Sequence, residues 1–202
     1  MTKDKTIQKA LQIFEDHHGI LRTQHALRLG ISPRTFYALR DEGYIIRLSR
    51  GLYQLSDRPV SEHHDLIIAT QRVRRGIVCL ISALAYRHLT TQIPHQVYLA
   101  LPKDAEKPRL EYPPLRLFWF SRDAYQAGFE EHTLDGTVVR IYCAEKSVAD
   151  CFKFRNKIGL DVTLEALKLY RESENFDLEK LMIFARIDRM ENVLRPYLEA
   201  LV

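Results

Sequence analysis

Apolar residues at the start of the chain recur with the spacing of an amphipathic helix. Four of them lie three or four positions apart, so they share one face of a helix predicted over residues 3–18. They are Ile7, Ala10, Leu11 and Phe14. A second, shorter amphipathic pattern covers residues 23–29. It ends at Gly30, which favours a tight turn to the next element.

A third helix is predicted over residues 33–42. Ser32 is a good N-terminal cap, a proline occupies the first helical position, and Gly43 suits the end of the helix. At about 100° per residue, Phe36 and Leu39 share the inward face. The residues that then point outward are Arg34, Tyr37, Ala38 and Asp41. A helix whose first half is polar and outward can offer side chains to base edges.

Residues that favour β-strands follow this third helix. Residues 44–48 and 51–55 are rich in β-formers and are joined by Ser49-Arg50, which predicts a two-stranded ribbon. Three helices followed by such a ribbon are typical of a winged helix-turn-helix, in which the ribbon is the wing. We expect DNA contacts from the third helix and its entry at Ser32, Arg34, Thr35 and Tyr37, and from the wing at Arg47 and Arg50.

The excess of basic residues lies in this same segment. The chain of 202 residues has a formal net charge of +4. Residues 1–58 hold ten Lys/Arg against six Asp/Glu, whereas residues 59–202 hold twenty of each. Neutralisation of phosphates by Lys/Arg supplies much of the affinity of proteins for DNA. The placement therefore supports a nucleic-acid-binding function, although a chance imbalance on a solvated surface gives the same count.

Residues 56–60 have the composition of a linker. They predict a DNA-binding domain over residues 1–58 and a second domain over residues 61–202. In the second domain we predict helices over 61–75 and 82–89 and strands over 96–101 and 115–120. Asp135-Gly136 predicts the turn of a hairpin with strands 129–134 and 137–142. Helices follow from residue 144 onward, the last of them over 188–202 and kinked or split at Pro196. The predicted fold class is α+β: an N-terminal winged helix-turn-helix followed by a C-terminal mixed-sheet domain with helices mainly at its C-terminal side.

The composition fits a soluble protein, with 46% hydrophobic and 28% charged residues. No signal or transit peptide is visible, and the most apolar run, residues 77–86, is too short to cross a bilayer, so we expect a cytoplasmic protein. Cys79, Cys143 and Cys151 lack CxxC spacing and are interpreted as reduced cysteines in the core.

Familiar enzyme motifs are absent from the sequence. It has no P-loop, GxGxxG, HExxH, GxSxG or zinc framework, so no catalytic residue, metal or cofactor is predicted. Glu145 and Asp150 lie near Lys146 and Lys153, and acids beside a lysine are compatible with a nuclease. Ordinary helical ion pairing explains the same spacing, because Asp150 can meet both lysines at i,i+3 and i,i+4, and we favour that interpretation.

The run CFKFRNKIGLD combines basic and apolar residues where a helix gives way to a loop. Lys153, Arg155 and Lys157 alternate there with two phenylalanines and an isoleucine. One interpretation is a surface that binds a protein partner or an anion. The other is a helix end stabilised by basic residues. The residues alone leave both open.

Nearly the whole chain resembles the AbiEi family of antitoxins of type IV toxin–antitoxin systems. The matching segments are GILRTQHALRLGISPRTFYALRDEGYIIRLSRGLYQL, GIVCLISALAYRHLTTQIPHQVYLALP, AEKSVADCFKFRNKIGLDVTLEALK and the tail RPYLEALV. The resemblance implies an N-terminal winged helix that binds inverted repeats of operator DNA and represses its own operon. It also implies a C-terminal domain that counters a nucleotidyltransferase-like toxin, and we place its antitoxin surface at Lys153, Arg155 and Lys157.

Two other functions are considered beside the antitoxin. The first is a stand-alone winged-helix regulator with no toxin. The second is an enzyme whose C-terminal domain acts on nucleic acid or nucleotides, which the absence of an acid or metal constellation argues against. No membrane partner is expected.

Overall fold

The computed structural model describes residues 3–57 and 61–200. The chain divides into two compact units, one comprising Met1–His64 and Thr133–Thr137, the other Asp65–His132 and Val138–Val202. Arg58, Pro59 and Val60, the last three residues of the predicted linker, lie outside the described residues. We call the two parts the N-terminal unit and the C-terminal unit.

The N-terminal unit has the helices and strands of a winged helix-turn-helix. Its helices are α1 (Lys3–Asp16), α2 (Thr23–Arg28) and α3 (Pro33–Asp41), and its strands are β1 (Ile20–Arg22), β2 (Ile45–Ser49) and β3 (Leu52–Leu55). The three strands form one antiparallel sheet in the order β1-β3-β2. The three helices and the wing agree with the sequence-based prediction to within two residues at nearly every end.

Aromatic packing holds this unit together. Phe14 from α1 and Phe36 from α3 are both 0% exposed, and their ring centroids lie 6.3 Å apart. Phe36 also makes an edge contact with Tyr53 of β3 at 4.9 Å. One side chain of α3 therefore ties the helix to both the first helix and the sheet.

Strand β1 was not predicted from the sequence. Residues 20 and 21 lie between the first two predicted helices, and they pair with β3, Ile20 opposite Gln54 and Leu21 opposite Tyr53. A three-residue strand is too short to show period-two alternation, so only the partner strand reveals it.

The C-terminal unit is built on a five-stranded mixed sheet, except that residues 133–137, at the tip of its last hairpin, are grouped with the N-terminal unit. Its strands are β4 (Ile77–Val78), β5 (Val97–Pro102), β6 (Leu115–Phe120), β7 (Phe129–Leu134) and β8 (Thr137–Tyr142), in the order β6-β5-β4-β8-β7. Strand β5 is antiparallel to β4 and parallel to β6, and β4 is parallel to β8. Asp135 and Gly136 both have positive φ in the β7–β8 turn, as the Asp-Gly signal predicts. The mixed sheet confirms the predicted fold class.

Helices precede and follow this sheet. They are α4 (His64–Arg72), α5 (Leu80–Tyr86), α6 (Arg122–Gln126), α7 (Ala144–Ile158), α8 (Leu160–Glu172), α9 (Leu178–Ile187) and α10 (Glu191–Ala200). Helix α7 is the central one, and its residues 145–152 are all buried. It ends at Gly159, whose φ of 105° lets the chain reverse into α8.

Glu165 of α8 fixes the loop before β5. Its carboxylate accepts hydrogen bonds from the Thr90 hydroxyl at 2.7 Å and from the Thr91 hydroxyl at 2.6 Å, and a third from the Thr91 amide at 3.2 Å. These bonds lower the pKa of Glu165, since they stabilise its ionised form.

Several predicted helix ends differ from the structure. The helix expected over residues 61–75 is shorter, because Ser61 accepts a hydrogen bond from the His63 amide in a turn and the helix begins at His64. The helix expected over residues 82–89 begins two residues earlier, at Leu80. The last helix begins at Glu191, because residues 188–190 cap α9 and Arg189 has a positive φ of 59°. Pro196 lies inside α10 and does not split it.

Among residues 3–57 and 61–200, no helix combines the length and the apolar character needed to cross a membrane.

Candidate nucleic-acid interface

Helix α3 is positioned by its cap and by two buried side chains. The Ser32 hydroxyl accepts a hydrogen bond from the Thr35 amide at 3.1 Å, and a proline fills the first helical position, so the first turn is well defined. Phe36 and Leu39 are both 0% exposed and face the core of the N-terminal unit. The opposite face of α3 is thereby turned to solvent.

That exposed face carries a cation and an aromatic ring one turn apart. Arg34 is exposed, and Tyr37 is 46% exposed, with its ring held against the edge of Phe36 at 5.9 Å. The guanidinium of Arg40 lies 4.9 Å from the centroid of the Tyr37 ring. Arg34 and Tyr37 therefore present hydrogen-bond donors and an aromatic ring to solvent, and such groups are suited to contact base edges and phosphates.

The charge along α3 runs from basic to acidic. Arg34 is in the first turn, whereas Asp41 and Glu42 are at the end and both are exposed. Arg40 donates a hydrogen bond to Asp41 at 2.8 Å and so offsets part of this negative charge. An approaching phosphate backbone is attracted to the first half of the helix and repelled by the second, which orients the N-terminal half toward DNA.

Ser32 and Thr35 are engaged with each other. Their hydroxyl oxygens are 2.9 Å apart in addition to the cap hydrogen bond, and Thr35 is half-buried. Each hydroxyl can still accept or donate one more hydrogen bond at the helix entry. Their first role is to fix the start of α3, and a phosphate contact is compatible with that role.

The wing brings two further arginines to the surface. Arg47 lies on β2 opposite Tyr53, and Arg50 lies in the turn before β3; both are exposed. Gly51 has a φ of 74°, so it supplies the left-handed conformation that closes this turn. All six residues predicted for DNA contact thus belong to α3, to its cap or to the wing.

Arg40 was missed by the sequence analysis. At 100° per residue it falls between the inward and outward faces of α3, so helical periodicity does not select it. Its contact with the Tyr37 ring adds a cation beside that ring. A basic residue three positions after an outward tyrosine was the available signal, because positions i and i+3 are neighbours on a helix.

The three basic residues at the end of α7 lie in different environments. Lys153 donates a hydrogen bond to Asp188 at 3.0 Å, and its side chain is 26% exposed. Arg155 is half-buried and donates to the carbonyl oxygen of Phe152 at 2.6 Å. Lys157 is exposed. Of the three, Lys157 is the one placed most openly for contact with a partner.

The acid–lysine group near the start of α7 is buried. Lys146 forms an ion pair with Asp150, as the helical spacing predicts, but both side chains are 0% exposed. The expected pairing of Asp150 with Lys153 is wrong, because Lys153 reaches Asp188 of the next helix but one instead. Burial of Lys146 and Asp150 closes them to a substrate, which argues against a nuclease site formed by these two groups. Within the described part of the chain, no group of three or more His, Cys, Asp or Glu residues could hold a metal ion.

Comparison with known proteins found a family that is similar to the N-terminal unit. Residues 8–56 match the family described as "Transcriptional regulator, AbiEi antitoxin". The match runs from within α1 to the end of the wing and so contains α3, its cap and both wing arginines. No curated protein matches the chain. The N-terminal winged helix-turn-helix is thus similar to that of the AbiEi antitoxin family of transcriptional regulators.

Proposed function

We propose that this chain represses its own operon by binding inverted repeats of operator DNA through α3 and the wing. The observation that carries the proposal is the exposed pair Arg34 and Tyr37 on a helix whose opposite face is fixed by two fully buried residues. The wing adds Arg47 and Arg50 on an adjacent element. Helix α3 reads the bases, and the wing contacts phosphates or the minor groove.

Two copies of the chain are expected to occupy one inverted repeat. Winged and simple helix-turn-helix repressors use paired half-sites, so the symmetry of the DNA matches a pair of protein molecules. Footprinting on the DNA upstream of the gene tests this. Protection of two half-sites separated by about one helical turn supports the proposal, and protection of a single unpaired site argues against a repeat.

An electrophoretic mobility shift with the same upstream DNA tests repression at its first step. The parent protein should shift the upstream fragment at a concentration that leaves a shuffled fragment of equal length and composition free. A reporter fused to the upstream region should fall when the chain is supplied. Equal affinity for the two fragments would leave the chain without an operator there.

We further propose that the C-terminal unit counters a nucleotidyltransferase-like toxin, with Lys153, Arg155 and Lys157 at the surface involved. The basis is the resemblance of the segments around α5, β5 and α7 to AbiEi antitoxins. We expect residues 61–202 to fold alone and to retain neutralisation without binding the operator, because this segment holds its own sheet and helical core.

Co-expression separates these possibilities. A nucleotidyltransferase-like gene next to this one would be expressed with the full chain, with residues 61–202, or with residues 1–58. Rescue of growth by the first two supports the proposal, and rescue by residues 1–58 would overturn the division of labour. Absence of such a neighbouring gene would favour a stand-alone regulator.

A further inference from the structure

Four charged side chains meet between α7 and the end of α9. Lys146, Asp150 and Lys153 belong to α7, and Asp188 caps the C-terminus of α9. Lys146 and Asp150 are 0% exposed and Asp188 is 3% exposed. Charged groups at this depth persist only when each has hydrogen-bonding partners of opposite charge. The partners can be assigned atom by atom.

Asp188 is fully satisfied and Asp150 is not. The Oδ2 atom of Asp188 accepts from Lys146 at 3.1 Å, and its Oδ1 atom accepts from Lys153 at 3.0 Å. The Oδ1 atom of Asp150 pairs with Lys146, but its Oδ2 atom is buried and has no hydrogen-bond donor. An ionised carboxylate can only accept, so an ionised Asp150 would keep one charged oxygen unpartnered in the core. A protonated Asp150 carries a hydroxyl instead.

We propose that a proton resides on Asp150 at neutral pH and completes this cluster, so that Lys146, Asp150, Lys153 and Asp188 form an alkaline-sensitive latch between α7 and the end of α9. The latch has two ammonium groups, one carboxylate and one carboxylic acid. Loss of the proton adds a second buried carboxylate beside Asp188 and weakens the connection between the two helices.

Aromatic rings beside the two ammonium groups stabilise the net positive charge of this latch. The Lys146 Nζ atom lies 5.0 Å from the ring centroids of both Phe120 and Tyr142. The Lys153 Nζ atom lies 5.5 Å from the Phe120 ring. Aromatic faces carry partial negative charge and attract cations within about 6 Å. The surroundings therefore suit two cations with a single anion.

The other titratable groups near Asp150 remain neutral. They are the thiols of Cys79 and Cys151 and the phenol of Tyr142. Burial raises the pKa of each of these groups well above its ordinary value. None of them supplies a charge that would compensate an ionised Asp150.

The electrostatics of the two carboxyl groups agree with this assignment. Burial raises the pKa of Asp150 well above its ordinary range; Asp188 raises it further, while Lys146 opposes the shift. Burial alone would raise the pKa of Asp188 too. Lys146 and Lys153 lower the pKa of Asp188 instead, and so does the hydrogen bond that a protonated Asp150 donates to it. Of the two carboxyl groups, Asp150 is therefore the one that binds a proton more tightly.

The sign of the pH dependence follows from the raised pKa of Asp150. The folded protein binds this proton more tightly than the unfolded chain does. The stabilising contribution is complete below the pKa of an unfolded aspartate and is lost as the pH rises through the folded-state pKa of Asp150. The latch is therefore closed while Asp150 keeps its proton and opens as the pH rises above the folded-state pKa of Asp150.

Carbon-13 NMR of the aspartate carboxyl carbons in the full chain tests the protonation directly. Asp150→Asn assigns the resonance of that residue by removing it. The Asp150 resonance should keep the chemical shift of a carboxylic acid from pH 5 to pH 8, while Asp188 keeps that of a carboxylate. Titration of Asp150 with the pKa of an exposed aspartate would overturn the proposal. This measurement does not depend on whether a variant of Asp188 folds.

Isosteric variants supply a second readout. Asp150→Asn mimics the acid and should leave the midpoint of thermal unfolding near neutral pH within about 2 °C of the parent, while removing its decline at alkaline pH. Asp188→Asn leaves the buried ammonium group of Lys146 and the partly exposed one of Lys153 without their shared anion, and should lower the midpoint by about 10 °C. Asp104→Asn, which breaks an exposed ion pair with Arg75, is the matched control and should have little effect. Equal losses in the Asp150 and Asp188 variants would overturn the assignment of the proton.

Discussion

Substitutions at two adjacent residues of α3 distinguish a role in folding of the winged helix from a role in DNA binding. Phe36 is 0% exposed, and its ring packs against Phe14 and Tyr53. Tyr37, the next residue, is 46% exposed. We therefore expect Phe36→Ala to unfold the N-terminal unit, and Tyr37→Ala to leave it folded with weakened DNA binding.

The magnitudes follow from burial. Truncation of a buried phenylalanine to alanine costs about 3–5 kcal/mol, from lost apolar contact and the cavity that remains. A folded unit of about 60 residues has a free energy of unfolding of roughly 3–9 kcal/mol, so Phe36→Ala removes much of it. Tyr37→Ala removes an exposed ring and its contact with Arg40, which is worth about 0.5–1 kcal/mol at such a site.

Circular dichroism with thermal unfolding, followed by mobility shifts at one salt concentration, checks the pair. Phe36→Ala should lose helical signal and all binding to the upstream DNA at 37 °C, with the C-terminal unit still unfolding cooperatively. Tyr37→Ala should keep the helical signal, unfold a few degrees below the parent and bind the upstream DNA more weakly. Equal stability of the Phe36 variant and the parent, or equal destabilisation by both variants, would refute the assignment of inward and outward faces.

Three further outcomes are expected. Replacing Arg47 and Arg50 together with alanine should weaken binding to all DNA and reduce the slope of log affinity against log salt by about two units at most, measured by fluorescence anisotropy; an unchanged slope would remove the wing from the interface. Lys153→Ala should lower the midpoint of thermal unfolding, because it leaves the buried Asp188 with one ammonium partner, whereas Lys157→Ala should not lower it. Replacing Lys153, Arg155 and Lys157 together with alanine should impair rescue from the toxin, and a rescue assay beside thermal unfolding separates this loss from a loss of stability. Normal rescue by the triple variant would show that the antitoxin surface lies elsewhere. Glu165→Gln should weaken the hydrogen bonds to the loop before β5. In the parent, the contribution of Glu165 to the free energy of unfolding is present at neutral pH and should be lost as the pH falls through the lowered pKa of Glu165. A variant whose stability declines with acid in the same way as that of the parent would contradict this.

Local patterns predicted most of the fold. Helix α3 was found from its serine cap, its proline and its glycine stop, which act within a few residues of each other. The β7–β8 hairpin was found from Asp135-Gly136, because that dipeptide favours the positive φ values of its turn. These features depend on neighbouring residues, so the sequence alone carries them.

Contacts between distant segments were not predicted. Lys153 was expected to pair within its own helix, but it lies beside Asp188, which is 35 residues away in sequence. The burial of Lys146 and Asp150 was missed for the same reason, since helical spacing does not tell whether another helix covers a face. Strand β1 likewise depends on a partner that follows it by some thirty residues.

The candidate DNA contacts could be located because a winged helix-turn-helix assigns fixed roles to its third helix and wing. Arg40 was not selected because it lies between the two faces of α3, and its contact with Tyr37 depends on the rotamer that places its guanidinium over that ring. A side-chain contact of this kind has no signature in the hydrophobic pattern.

The binding of Arg34→Ala to the upstream DNA, compared with the parent at matched salt, tests the central claim most directly. Arg109→Ala, which removes the same charge from an exposed position in the C-terminal unit, is the control. If Arg34 contacts a base through both guanidinium nitrogens, its variant should lose about 1–3 kcal/mol of specific binding, or roughly 5- to 150-fold in affinity, while the control binds like the parent. Equal affinity of the Arg34 variant and the parent for the operator would contradict the claim that α3 reads the DNA.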